Sequence, residues 1–288
     1  MKWSRASIVE RLKQEVAAGR PIVGGGAGTG ISAKCEEAGG IDLIVIYNSG
    51  RFRMAGHGSL AGLLPFGNAN HIVKEMAYEV LPAVKKTPVL AGVCGTDPFM
   101  IRDAFLKELV NLGIAGVQNF PTVGLIDGQF RANLEETGMG FQLEIDLIEA
   151  AHKLDLLTTP YAFNTTHAEE FAKVGADVIV AHMGLTTSGA IGAITAMSLE
   201  QSADVVAEIA DAAKSVNPDV LVLCHGGPIA TAEDAQYIFE RVDTIDGFYG
   251  ASSVERLPTE IAIKEQVRGF KELKLNAIHP NASRVAGS

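Results

Sequence analysis

The sequence of 288 residues is poor in cysteine, in basic charge and in long apolar runs, and each shortage closes off a class of function. Its three cysteines, Cys35, Cys94 and Cys224, lie far apart with no CxxC pair. That spacing excludes a disulfide framework or a thiolate zinc site and indicates a reducing, cytoplasmic compartment. Lys+Arg 24 against Asp+Glu 34 gives a net charge of −10, with no basic run longer than Lys85-Lys86. Nucleic acid and anionic membranes need a positive footprint and are excluded as partners. No apolar run approaches the ~20 residues that cross a bilayer. Residues 1–15 are charged and lack the apolar core of a signal peptide.

Short apolar, β-branched stretches are abundant. Eight of them, at 21–23, 41–47, 88–93, 114–118, 156–162, 176–181, 220–224 and 247–250, each stop at glycine or a polar cluster. Helical patterns follow them at 31–38, 71–85, 98–112, 141–153, 167–174, 199–216, 231–241 and 259–273. Strand–helix alternation of this length predicts an α/β fold, a (β/α)8 TIM barrel forming a single domain over residues 1–288. Ile8, Leu12 and Val16 predict an extra helix at 5–18, within an N-terminal segment 1–20 that caps the barrel. Residues 275–288 read as a loose tail and, with that helix, as candidate contacts of a homo-oligomer. Ser198-Leu199-Glu200-Gln201 has capping-box spacing.

In such barrels the chemistry lies at the carboxyl ends of the strands. His182 and His225 end the sixth and seventh stretches, so they are expected to be neighbours, as proton shuttles or as ordinary buried histidines. Asp97, beyond the third, is read as a general base, a metal ligand or the N-cap of a helix starting at Pro98. Asn48, Ser49 and Arg51 after the second stretch, and Gln118 and Asn119 after the fourth, suit a carboxylate or an oxyanion. Gly226 and Gly227, with Gly250, Ser252 and Ser253, fall where barrels hold a phosphate, or they simply make tight turns. Arg256 is a further candidate cation. Cys224, beside His225, reads as a buried small hydrophobe rather than a nucleophile. No lysine ends a strand, which argues against Schiff-base chemistry. Gly25 and Gly26, within the run Gly24–Gly28, are candidates for close approach to a substrate. NAD is excluded, because Tyr47-Asn48 stands where a dinucleotide fold needs an acid. Connections at 48–70, 119–140 and 183–198 are long enough to carry function, the third as a lid.

Gly30-Ile31-Ser32-Ala33-Lys34, Glu36-Glu37-Ala38-Gly39-Gly40 and Ile46-Tyr47-Asn48-Ser49-Gly50 resemble the first β/α unit of the phosphoenolpyruvate mutase and isocitrate lyase superfamily. Across the whole chain, Gly24–Gly28, residues 47–51 and Cys224-His225-Gly226-Gly227-Pro228 resemble the phosphoenolpyruvate hydrolase-like or phosphonopyruvate hydrolase proteins. The same module resembles one half of certain plant antiviral resistance proteins. The resemblance implies a barrel acting on a small anionic 2-oxo acid or a phosphorylated or phosphonate carbonyl compound, by hydrolysis or by C–C or P–C cleavage. It also implies Mg²⁺ held by carboxylates after the third and fourth strands. Here those ends read Cys94-Gly95-Thr96-Asp97 and Gln118-Asn119-Phe120-Pro121, with one carboxylate between them, so the metal stays an open question. Two alternatives remain: a lyase or hydrolase whose metal is held by His182, His225 and Asp97, and a metabolite-sensing barrel without turnover.

Overall fold

A computed structural model describes residues 3–275; the tail expected from 275 onward lies, after Leu275, outside the described residues. Nine strands alternate with helices: β1 (Ile22–Gly26), β2 (Leu43–Ile46), β3 (Val89–Gly92), β4 (Gly116–Gln118), β5 (Leu157–Thr158), β6 (Tyr161–Ala162), β7 (Val178–His182), β8 (Leu221–His225) and β9 (Gly247–Gly250). They form one sheet in the order β5-β4-β3-β2-β1-β9-β8-β7-β6, and every strand pair is parallel. The two ends of that order are one strand interrupted at Thr159-Pro160. The Thr159 N–H donates to the Val117 carbonyl at 3.0 Å, and the Pro160 carbonyl accepts from the Val180 N–H at 2.9 Å. Proline has no N–H to extend the ladder, so the strand breaks while the ring still closes. The fold is the expected TIM barrel, with its fifth strand in two pieces.

The helices are α1 (Arg5–Ala17), α2 (Gly30–Ala38), α3 (Asn48–Met54), α4 (Ala69–Val80), α5 (Arg102–Leu112), α6 (Gly128–Glu136), α7 (Gln142–Lys153), α8 (Thr165–Lys173), α9 (Leu199–Val216), α10 (Ala232–Phe239) and α11 (Leu257–Lys271). The side chains of Thr29, Asn68, Asn164, Ser198 and Thr231 each accept an otherwise orphaned amide in the first turn of the helix that follows. At Ser198 the capping box is complete, with Gln201 reaching back. Two of these helices, α3 and α6, lie inside the long connections 48–70 and 119–140 and were not expected from periodicity. The helix expected from Pro98 begins at Arg102, because Asp97 holds a turn instead: its carboxylate accepts from the Phe99 N–H at 3.0 Å.

The strands are buried on both faces, as a parallel barrel wrapped in helices requires, with Ile44, Val45, Ile46, Leu90, Val117, Ile179, Val180, Val222 and Leu223 fully inaccessible. Ile8 and Leu12 of α1 join this core. Arg5 pairs with Asp177, one residue before β7, at 2.8 Å, which places α1 at the amino-terminal ends of the strands, opposite the chemistry. By contrast, α11 carries no buried residue, and Ile263, Val267 and Phe270 are exposed along it.

Candidate active site

A cavity of about 350 Å³ opens at the carboxyl ends of the strands, and both predicted histidines line it. His182 and His225 occupy paired positions on β7 and β8. Their ring centroids are 4.6 Å apart, and Tyr161 at the end of the broken strand packs against both, at 4.7 and 5.0 Å. Tyr47, Ser49, Phe120, Ser252 and Arg256 complete the deep wall.

Hydrogen bonding sets the proton positions on the two rings. The Gly184 N–H donates to His182 Nδ1 at 3.0 Å, so that nitrogen is the acceptor and the proton of the neutral ring is on Nε2. His225 Nδ1 lies 2.5 Å from the Tyr249 carbonyl, which only accepts, so His225 carries its proton on Nδ1 and keeps a lone pair on Nε2. Burial holds both rings neutral: it pushes His225 down to about 4, and His182, which also feels His225, well below the ordinary range. One histidine therefore offers a donor and the other a base.

Beneath the cavity lies a charged pair that sequence reasoning missed. Arg53 Nε donates to Glu255 at 3.0 Å and its Nη2 to the Gly26 carbonyl at 2.9 Å, with both side chains buried. The remaining Glu255 oxygen accepts the Gly28 N–H at 2.6 Å. Arg51, the expected cation, is instead half-exposed and paired with Glu79 at 3.3 Å. Two residues along a helix are ~200° of rotation, so one arginine of α3 faces out and the other in. A second missed group is Glu144 of α7, fully buried and raised to about 7 by burial. Its carboxylate accepts from Asn119 Nδ2 at 2.6 Å and the Val123 N–H at 2.8 Å, while Asn119 Oδ1 accepts the Tyr161 N–H at 2.7 Å. Asn119 thus positions Tyr161 rather than lining the cavity. Gln118 is likewise internal, donating to the Thr159 carbonyl at 3.1 Å.

Other candidates have structural work away from the cavity wall. Asn48 pins the loop after β2 through the Gly62 carbonyl at 2.8 Å. Gly25 and Gly26 leave room for the Ile41 and Tyr47 side chains, respectively, and neither lines the cavity. Gly226 and Gly227 adopt φ of +77° and +57°, which favours glycine. The Gly227 N–H is spent on the Gly184 carbonyl at 2.9 Å, so it is not aimed at an anion. Of the expected phosphate cup, only Ser252 lines the cavity; Gly250 and Ser253 do not. Cys224 is fully buried and its thiol is pushed up to about 12 by burial, consistent with the hydrophobe reading.

Asp97 lines a separate surface pocket with Asn68, Asn70 and Met100. It accepts from Asn68 and Asn70 amides at 2.9 and 3.1 Å, and it is not among the residues lining the histidine cavity. The His182–His225–Asp97 metal set is therefore not assembled. Among the described residues, no carboxylate lines the cavity and no group of three or more metal-ligating side chains converges anywhere. A hard cation such as Mg²⁺ wants several oxygen ligands including carboxylates, so this donor set does not fit it.

The family profile described as Phosphoenolpyruvate hydrolase-like matches residues 7–273. The chain belongs to the phosphoenolpyruvate hydrolase-like family. The ToMV susceptible protein tm-1(GCR26) of Solanum lycopersicum is 63% identical over 271 residues, covering 94% of this chain and 36% of that protein. The chain thus spans about a third of the length of that relative, and the same holds for the ToMV resistance protein Tm-1(GCR237). Among solved structures, 2,3-dimethylmalate lyase, a PEP mutase/isocitrate lyase superfamily member, aligns with a TM-score of 0.58 at 16% identity, over 99% of this chain and 95% of that one. Phosphonopyruvate hydrolase, in complex with oxalate and Mg²⁺, aligns at 0.56 and 13% identity, over 94% and 92%. At such identities these likenesses show the fold. The resemblance expected for this phosphoenolpyruvate hydrolase-like chain is met in both family and architecture.

Proposed function

We propose that this barrel is an enzyme acting on a small 2-oxo acid or related carbonyl compound, breaking a bond beside the carbonyl by hydrolysis or C–C cleavage. The observation that carries this reading is the opposed protonation of the two histidines at the cavity floor. His225 Nε2 takes a proton from water or from the substrate, while His182 Nε2–H polarises the carbonyl or protonates the leaving group. Arg256 and Ser252 line the same space, and although Glu260 and the Ser188 carbonyl each take one N–H of the guanidinium, its remaining donors suit a carboxylate. Ser49 also lines it, with its own proton given to the Ser59 carbonyl at 2.5 Å. A single lining arginine and a spent glycine amide favour a carboxylate over a phosphoryl group, which makes C–C cleavage or hydrolysis the better reading than P–C chemistry. Incubation of the purified protein with a panel of 2-oxo acids, followed by product analysis, is the test. Turnover that His225→Gln abolishes supports the reading. Tight binding without turnover replaces it with a metabolite-sensing role.

A further inference from the structure

We infer that the substrate carries an apolar arm of several carbons beside its acidic head, a conclusion that rests on the acid–base reading above. The cavity lining is of two chemical kinds, polar and apolar. His182, His225, Ser252 and Arg256 come from the ends of β7 and β8 and the turn after β9. The same lining includes apolar side chains from three separate connections: Leu60 from 48–70, Leu125 from 119–140, and Leu185 and Ile191 from 183–198. A minimal 2-oxo acid has no use for those apolar side chains. Even at the ~30 Å³ that liquid water takes per heavy atom, the six heavy atoms of pyruvate fill only about half of such a space. Leu60 is 45% exposed, and Ile191, half-buried, is not among the described side chains packed against the main core. An apolar group entering the cavity would cover their apolar surface.

The wall over the cavity is also held in place rather than free. Arg256 Nη2 donates to the Ser188 carbonyl at 3.0 Å and its Nη1 pairs with Glu260 at 3.0 Å. Glu260 in turn accepts the Ala190 N–H at 2.9 Å. The residue suited to the carboxylate therefore also anchors the connection that brings Ile191 over the site, coupling recognition of the head to coverage of the arm.

Burying a methylene is worth ~0.8 kcal/mol, which is about fourfold in affinity. Titration calorimetry of wild-type protein with pyruvate, 2-oxobutanoate, 2-oxopentanoate and 2-oxohexanoate is expected to show affinity rising by about fourfold per carbon. In Leu60→Ser and Ile191→Ser proteins, each confirmed folded by its thermal melt, the slope should flatten. Equal affinity across the wild-type series overturns the apolar arm while leaving the acid–base reading standing. If no member of the series binds, the 2-oxo acid reading falls and the apolar arm falls with it.

Discussion

His182 and His225 face each other across the β7–β8 register at 4.6 Å between ring centroids, yet one is held as an Nε2–H donor by the Gly184 amide and the other as an Nε2 base by the Tyr249 carbonyl. Neighbouring imidazoles in one cavity would repel if both were charged. Fixing both neutral, with opposite tautomers, suits the proposed role in which the pair gives and takes a proton in one turnover.

Replacing His225 with glutamine should lower kcat by about 10²–10⁴-fold, the usual contribution of a positioned proton-transfer group. The melting transition should persist, because glutamine can still donate to the Tyr249 carbonyl. Wild-type activity in that variant would remove His225 from the mechanism.

The pH profile should be displaced toward acid. An ordinary histidine titrates near 6.5, but burial lowers His225 to about 4. The acidic limb of kcat/KM is therefore expected near pH 4 and not near 6.5. Stability follows the same sign: between these two values the unfolded chain binds more protons, so the folded state loses stability as pH falls through that window. A limb at pH 6.5 would show that the base is solvated.

Glu36 has the opposite dependence. It is 8% exposed, neither carboxylate oxygen has a hydrogen-bond partner among the described residues, and burial, with Glu255 nearby, raises it to about 8. Its proton is held more tightly in the folded than in the unfolded chain. Below pH 4.5 the group costs nothing; from there up to about 8 the folded state loses ~1.4 kcal/mol per pH unit from this group. Glu36→Gln should flatten that decline, raising the melting temperature at pH 8 and leaving it unchanged at pH 4. Parallel pH–stability curves for the two proteins would refute it.

The Arg53–Glu255 pair should show strong non-additivity. Arg53→Met strands a buried carboxylate and is expected to cost ~3–5 kcal/mol in chemical denaturation. Adding Glu255→Gln should recover much of that loss. Additive losses would mean that the two side chains do not act as a pair.

Arg256→Gln should release the connection at 183–198. Faster amide exchange is expected at Ala190 and its neighbours, together with a raised KM, because the same guanidinium is proposed to meet the substrate carboxylate. Unchanged exchange would show that the connection is held by other contacts.

The sequence by itself determined the barrel, the meeting of His182 and His225, and the poverty of carboxylates at the strand ends. These follow from local pattern: β-branched stretches at regular intervals make parallel strands, and residues ending adjacent strands must lie on one rim. Tertiary structure alone decided which polar residues reach the cavity. Arg51 and Arg53 stand two apart, and only the packing of α3 tells which is buried. From its place after β3, Asp97 could be a base, a metal ligand or an N-cap, and it is the amides of Asn68 and Asn70 that hold it in a separate surface pocket. Glu144 arrives from α7, well beyond the end of β4, and Glu255 stands just after β9 but turns away from the cavity to meet Arg53, so neither role is announced by a motif. The histidine tautomers depend on one amide and one carbonyl whose directions are set only when the barrel closes. Side-chain direction and hydrogen-bond partnership are properties of packed neighbours, and those neighbours are remote in the chain.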